Sequence, residues 1–296
     1  METTNEQMRV QARNAEKWLF EKSVSRRQIL SEVQRLLAGV TGEQRVLVSG
    51  GINPVASQLV AGKAKWKRFY LAPTQASPLV ELVNDGQPLD ETGKLPLPDQ
   101  SADVVVLLDV LQHIEKDAAW VEECHRVLKP TGRLLIEVPF VKRWSLLAGL
   151  RTLFGLSRHG LGRVRRGYTE PMLFDLIKDG FDAEELLTFS RYFVGAAEAH
   201  ADLLATFLGV DRDLGSQNVN QEIRALDQLR KSYACLYPFA LLGAGLDKLI
   251  GFTRGYRLIG RFRRRPWKPR RSPTLRDGRS IAEATINTRI GTAAPF

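Results

Sequence analysis

Residues 95–140 read LPLPDQSADVVVLLDVLQHIEKDAAWVEECHRVLKPTGRLLIEVPF. The Pro-rich opening, Leu95-Pro96-Leu97-Pro98-Asp99, is a turn. Asp103 then leads Val104-Val105-Val106-Leu107-Leu108, an unbroken apolar run of the kind a parallel strand carries when both its faces are covered. A short segment from Asp109 to His113 leaves that strand. Lys116–Leu128 reads as a helix, with Ala119, Trp120, Cys124, Val127 and Leu128 on one stripe. Lys129-Pro130-Thr131-Gly132 stops it, since Pro cannot continue a helix and Gly is expected to supply a left-handed exit. Arg133–Val138 is the next buried strand. Strand, helix and strand in so short a span make a right-handed crossover unit with parallel strands.

Working outward toward the start, Asn5–Val40 reads as two helices broken near Ser23–Ser25. Ser25, with Gln28 three residues on, fits a capping box. Arg45–Ser49 is the first strand, Gly50-Gly51-Ile52-Asn53-Pro54 the turn after it, Val55–Ala61 a helix and Arg68–Leu71 a second strand. Toward the end, Lys142–Gly167 is a basic and apolar insertion that leads into Tyr168-Thr169. Thr169 caps a helix over Glu170–Lys178. Ala183–Phe189 is a strand and Phe193–Leu208 a helix. Ser232–Phe252 is strongly apolar, and Gly255–Phe262 alternates like a strand. His125, mid-helix beside Arg126, reads as a surface residue.

The Pro-rich turn, the Asp103-led strand, the strand-exit His113 and the Lys129-Pro130-Thr131-Gly132 turn fall in the order and spacing of a known family. The stretch resembles the second half of the class I S-adenosylmethionine (SAM) methyltransferase domain, in the branch that includes the ubiquinone-biosynthesis-type enzymes. The resemblance runs over about residues 43–190 plus one later strand. It implies an α/β fold with a Rossmann-like, mostly parallel sheet whose last strand, Gly255–Phe262, is antiparallel. Helical N-terminal and inserted segments would surround that sheet. The expected division is N-terminal helices over 1–42, a methyltransferase-like core over 43–190 and a helical, partly apolar insertion over 191–252. The core's final strand over 253–264 and a basic, flexible tail over 265–296 complete it.

The resemblance also implies SAM as cofactor. Gly50, Gly51 and Asn53 would hold it in the first turn, where backbone amides face a carboxylate. Asp90 or Glu91 would meet the adenine amine, and Asp109 would line the cleft. His113 is the candidate for acid–base work, its ordinary pKa lying near neutrality; a structural hydrogen bond to the neighbouring loop is its other reading. The sequence departs from the family at four positions. Val48 stands where the first strand carries an acid, and Ile52 and Pro54 replace the second and third glycines. Ala72 falls where a carboxylate normally receives the ribose hydroxyls. Two function classes follow: a SAM-dependent methyltransferase, or a methyltransferase fold kept as a scaffold that binds SAM weakly or not at all.

Charge adds a partner. The chain of 296 residues carries a formal net charge of +10, and nine of its Lys and Arg fall between Arg254 and Arg271 without an acid among them. The rest is nearly neutral, so an anionic partner is expected at the C-terminal end. An apolar helix over Ser232–Phe252, with Tyr237 and Phe239 as anchors, followed by Arg263-Arg264-Arg265-Pro266-Trp267-Lys268-Pro269-Arg270-Arg271, suits an anionic membrane surface through the Ser232–Arg271 region. Nucleic acid is the rival anion and a solvated charged tail the third reading. The acceptor would be a small molecule or a lipid- or glycan-linked one. Cys124 and Cys235 are expected to be buried thiols and not a disulfide or metal site, which suits a reducing compartment. The polar start, Met1–Arg13, shows no apolar leader, and no long uncharged apolar run is present, so a cytoplasmic protein, peripheral at the membrane, is expected.

Overall fold

The computed structural model describes residues 10, 14, 17, 18, 20–50, 54–71, 87–89, 94, 95, 97–142, 164–197, 200, 219–249 and 254–267. Gly51, Ile52, Asn53, Ala72, Asp90, Glu91, most of the 142–167 insertion and the tail from Lys268 onward lie outside the described residues. The elements in order are α1 (Val24–Leu36), β1 (Val46–Gly50), α2 (Pro54–Val60), β2 (Trp66–Leu71), β3 (Gln87–Leu89) and β4 (Ala102–Leu108). A 3₁₀ turn (Leu111–His113) leads to α3 (Asp117–Val127), β5 (Leu128–Pro139), α4 (Glu170–Ile177), β6 (Phe181–Phe189), α5 (Val219–Leu249) and β7 (Arg257–Arg264).

Seven strands form one sheet in the order β3-β2-β1-β4-β5-β7-β6. The first five are parallel, and β7 runs antiparallel between β5 and β6. The antiparallel last strand is therefore as expected. Since β5 and β6 both oppose β7, they share a direction, and Arg257 at the start of β7 meets Pro139 and Phe189 at their ends. Gly50, Leu108 and Pro139 thus close the same carboxyl edge of the sheet.

The apolar runs are buried on both sides because helices cover both. Val105, Leu107, Leu134, Ile136 and Val138 face Trp120, Val121 and Cys124 of α3 and Leu173 and Ile177 of α4. Val104, Val106, Leu108, Val46 and Val48 face Ile29, Val33 and Leu36 of α1 and Val55 and Leu59 of α2. Each such side chain contributes about 1.5–3 kcal/mol of transfer free energy, and the strand alternation sorts it to one helical layer or the other. At the open margin β6 is half exposed, and its Glu184 and Glu185 meet Arg261 and Arg35, a charged edge that discourages pairing with another chain.

Several local expectations are corrected. Ser23, not Ser25, caps α1: its hydroxyl accepts from the Arg26 N–H at 3.3 Å, whereas Ser25 is buried within the helix. Gly132 does not make a left-handed exit. It lies inside β5, which begins directly at Leu128, and a Cβ there would stand 2.9 Å from Leu128 Cδ2 and 3.2 Å from the Asp103 carbonyl. Close approach of the Lys129 carbonyl, also 2.9 Å away, and of β4 is what requires the glycine. His125 is buried, not at the surface. Its Nε2 lies 2.7 Å from the Arg265 carbonyl, and its ring packs edge-on against Phe181 and Trp267. Cys124 is buried as expected, and burial pushes its thiol pKa well up, but Cys235 is exposed. Thr169 caps α4 as expected, accepting from the Met172 N–H at 3.4 Å.

Candidate functional site at the carboxyl edge

The carboxyl edge is where a parallel α/β sheet exposes strand ends and leaves room for a ligand. Gly50 pairs in register with Leu108, so the end of β1 and the exit of β4 are neighbours. Asp109 follows, at φ +53°, a left-handed position that Asp tolerates better than most residues. Its N–H donates to the Glu137 carbonyl at 3.0 Å. Gln112 Nε2 donates to the Asp109 carbonyl at 2.8 Å and to its Oδ1 at 2.7 Å. Arg257 completes the group: one guanidinium nitrogen donates to Asp109 Oδ1 at 2.9 Å and to Glu137 Oε1 at 3.0 Å.

Glu137 is the strongest electrostatic feature here. It is fully buried, its Oε1 is held by Arg257, and its Oε2 has no hydrogen-bond partner among the described residues. Burial raises the carboxyl to about 7. The Arg257 charge opposes that rise and the Asp109 charge adds to it. The sequence analysis missed both Glu137 and Arg257. A signal was present: Glu137 is a lone acid in Leu134-Leu135-Ile136-Glu137-Val138, and an acid in a run buried on both faces needs a partner.

His113 ends the 3₁₀ turn, half-buried, its N–H donating to the Val110 carbonyl at 2.9 Å. The segment 164–169 clamps this turn. The Val164 and Arg165 N–H groups donate to the Gln112 carbonyl at 2.9 and 3.2 Å. Arg165 pairs with Asp117 and donates to the Glu115 carbonyl at 3.0 Å. The buried Tyr168 hydroxyl lies 2.7 Å from the Asp117 carboxylate, 3.1 Å from the Leu111 carbonyl and 2.9 Å from the Arg165 guanidinium. Burial pushes Tyr168 up to about 12, so it stays protonated and structural. The Arg-rich lead into α4 therefore fixes the loop after β4.

Of the predicted site residues, Gly50, Asp109 and His113 fall on this edge; Gly51, Asn53, Asp90 and Glu91 lie outside the described residues. The described edge suits the implied cofactor in one respect. Ser49 Oγ, Gln112 Oε1 and Glu137 Oε2 are buried without hydrogen-bond partners among the described residues, and SAM is a cation bearing an ammonium, an amine and two hydroxyls as donors. In another respect it does not. Val48 is buried among apolar side chains of the sheet, so no acid of β1 faces the ligand. A surface recess of about 390 Å³, lined by Asp99, Gln100, Glu122, His125, Arg126, Arg264 and Trp267, lies at the opposite edge, where β7 ends.

Comparison with known proteins agrees with this architecture. The methyltransferase domain family matches over residues 77–136, which span β3, β4 and α3 and reach into β5. A probable S-adenosylmethionine-dependent methyltransferase of Mycolicibacterium smegmatis is 50% identical over 46 residues, 16% of this chain and 18% of that protein. One of Mycobacterium tuberculosis is 48% identical over 46 residues, 16% of this chain and 17% of its own length. The matched stretch thus spans less than a fifth of either relative. Among solved structures, a Haemonchus contortus phospholethanolamine N-methyltransferase 2, in complex with phosphomonomethylethanolamine and S-adenosylhomocysteine, superposes with a TM-score of 0.50 at 19% identity. That likeness covers 86% of this chain and 57% of the other.

Proposed function

We propose that this chain, whose fold is that of the class I SAM-dependent methyltransferases, transfers a methyl group from SAM to a small acceptor that is lipid- or glycan-linked and presented at a membrane surface. The observation that carries the transferase reading is the sheet order with its single antiparallel strand, together with the family match across the β4–β5 half. SAM supplies an electrophilic methyl group on a sulfonium. The turn at Gly50 and the acceptors of Ser49 and Gln112 would hold it, with Gly51, Asn53, Asp90 and Glu91 as the sequence-based contacts. Asp109, tied to Arg257 and Gln112, orients the turn that carries His113. His113 is the group available to take the proton that the acceptor gives up. Catalysis would otherwise be positioning.

The membrane-surface part of this reading is supported by an exposed apolar face on α5, which Asp247 ties beside the same edge. A second reading, an inactive scaffold, is favoured by the apolar Val48 and by the absence of an acid in Tyr70-Leu71-Ala72-Pro73. Calorimetric titration of the folded protein with SAM and S-adenosylhomocysteine separates the two. Saturable heat with both is expected; none at high micromolar ligand leaves the scaffold.

A further inference from the structure

Helix α5, 31 residues long, carries two distinct faces over its last two-thirds. The inward face is Ser232, Tyr237, Ala240, Gly243, Ala244 and Asp247. Ala240 packs with Val24 and Val194, and a Cβ on Gly243 would stand 3.0 Å from Phe193 Cβ. Asp247 is buried and accepts from the Phe193 and Val194 N–H groups at 2.8 and 3.0 Å. Tyr237 belongs to this face, with the Lys22 ammonium 4.5 Å from its ring centroid, so it is not the outward anchor its sequence context suggested. The outward face is Cys235, Phe239, Leu242, Leu246 and Leu249, spaced four, three, four and three residues apart. Phe239 is 64% exposed, Leu242 68%, Leu246 44% and Leu249 77%. Single exposed apolar residues are ordinary; a continuous stripe of them calls for a partner.

Charge selects that partner. Along 230–249 the exposed charged residues are Arg230 and Lys231 at one end and Lys248 at the other; the one acid, Asp247, is turned inward and bonded. An apolar stripe bounded by cations suits a helix lying in the headgroup layer of an anionic bilayer. No helix among the described residues is long and apolar enough to cross the membrane, so the helix lies in the plane.

We propose that the outward face of α5 docks on anionic lipid and thereby sets the carboxyl edge of the sheet against the bilayer. Asp247 fastens α5 to residues 193–194, just past the end of β6 at Phe189, and Phe189 pairs with Arg257 of the candidate site. One end of α5 is thus tied beside the candidate site, so docking of α5 brings that edge near lipid, which narrows the acceptor to one anchored in the membrane; this deepens the transferase reading and rests on it. The basic run after β7 is a separate feature. Arg264 lies at the far edge, seven residues along β7 from Arg257 and about 24 Å away, and Trp267 is packed against His125 there.

The test is co-sedimentation of the full chain with vesicles of phosphatidylcholine alone and of phosphatidylcholine with roughly one-third phosphatidylglycerol. The wild type is expected to bind the anionic vesicles, more weakly with added salt. Leu242→Asp with Leu246→Asp, both at exposed positions, should lower binding by about tenfold or more while leaving thermal unfolding unchanged. Lys248→Glu should weaken binding to the anionic vesicles only. The proposal is overturned if the wild type stays in the supernatant, or if the double variant binds as wild type does. It is also overturned if the wild type is a dimer that the double variant turns into monomer, or if removal of residues 268–296 alone abolishes binding. SAM titration of the double variant should match the wild type, so failure of the transferase reading appears there and not in the vesicle assay.

Discussion

Replacing Glu137 by Gln isolates the buried acid at the carboxyl edge. In the folded protein this carboxyl is raised from 4.5 to about 7, chiefly by burial. At about 1.4 kcal/mol for each pH unit between the two values, the group makes a pH-dependent contribution of about 3 kcal/mol. The sign follows from proton counting. Between pH 4.5 and 7 the native state keeps a proton that the unfolded chain has released, so stability falls as pH rises. The contribution is fully present below 4.5 and lost once pH passes about 7. Glu137→Gln keeps an oxygen for Arg257 and removes the titration. Urea unfolding of both proteins at a series of pH values from 4.5 to 8 gives a difference curve in which unrelated groups cancel. Asp109 shares Arg257, so the curve reports the two carboxyls together. The wild type should lose about 3 kcal/mol relative to the variant over that span. Parallel curves, or a wild type that gains relative stability with pH, would refute the reasoning.

Arg257→Met leaves Asp109 and Glu137 facing one another without their shared cation, and unfolding at pH 8 should show a loss of about 3–5 kcal/mol. The loss should be smaller at pH 5, where Glu137 holds its proton. Tyr168→Phe removes the hydroxyl that joins Asp117 to the Leu111 loop, and denaturant midpoints should report a cost of about 1–3 kcal/mol. Burial lowers the His125 pKa, so its contribution to stability is present above 6.5 and lost as pH falls through the folded value, opposite in direction to Glu137. His125→Phe should therefore flatten the fall in stability on the acid side of pH 6.5, read from the same urea series.

How far the sequence reaches can be judged residue by residue. The Val104–Leu108 run announced a strand covered on both faces, and β4 is covered by α1 and α2 on one side and by α3 and α4 on the other. The antiparallel return followed from the family resemblance, and the strand order came from the tertiary structure. The crossover through α3 was legible because periodicity and turn chemistry are local properties of the chain. Asp109 and His113 were placed on the right edge for the same reason. What periodicity does not carry is which face meets what. It grouped Tyr237 with Phe239, yet packing turned the first inward and left the second exposed. It set His125 at the surface, where Trp267, far along the chain, buries it. Charge and hydropathy joined the apolar helix to the basic run as one feature; the antiparallel β7 carries Arg263 and Arg264, where that run begins, to the edge opposite Arg257. The pairing of Glu137 with Arg257, 120 residues apart, exists only once β7 has slid between β5 and β6. Side-chain alternation along the chain determined the layers; contacts between distant strands decided the charge chemistry of the edge, because the cost of a buried acid is set by what the fold brings within 3 Å of it.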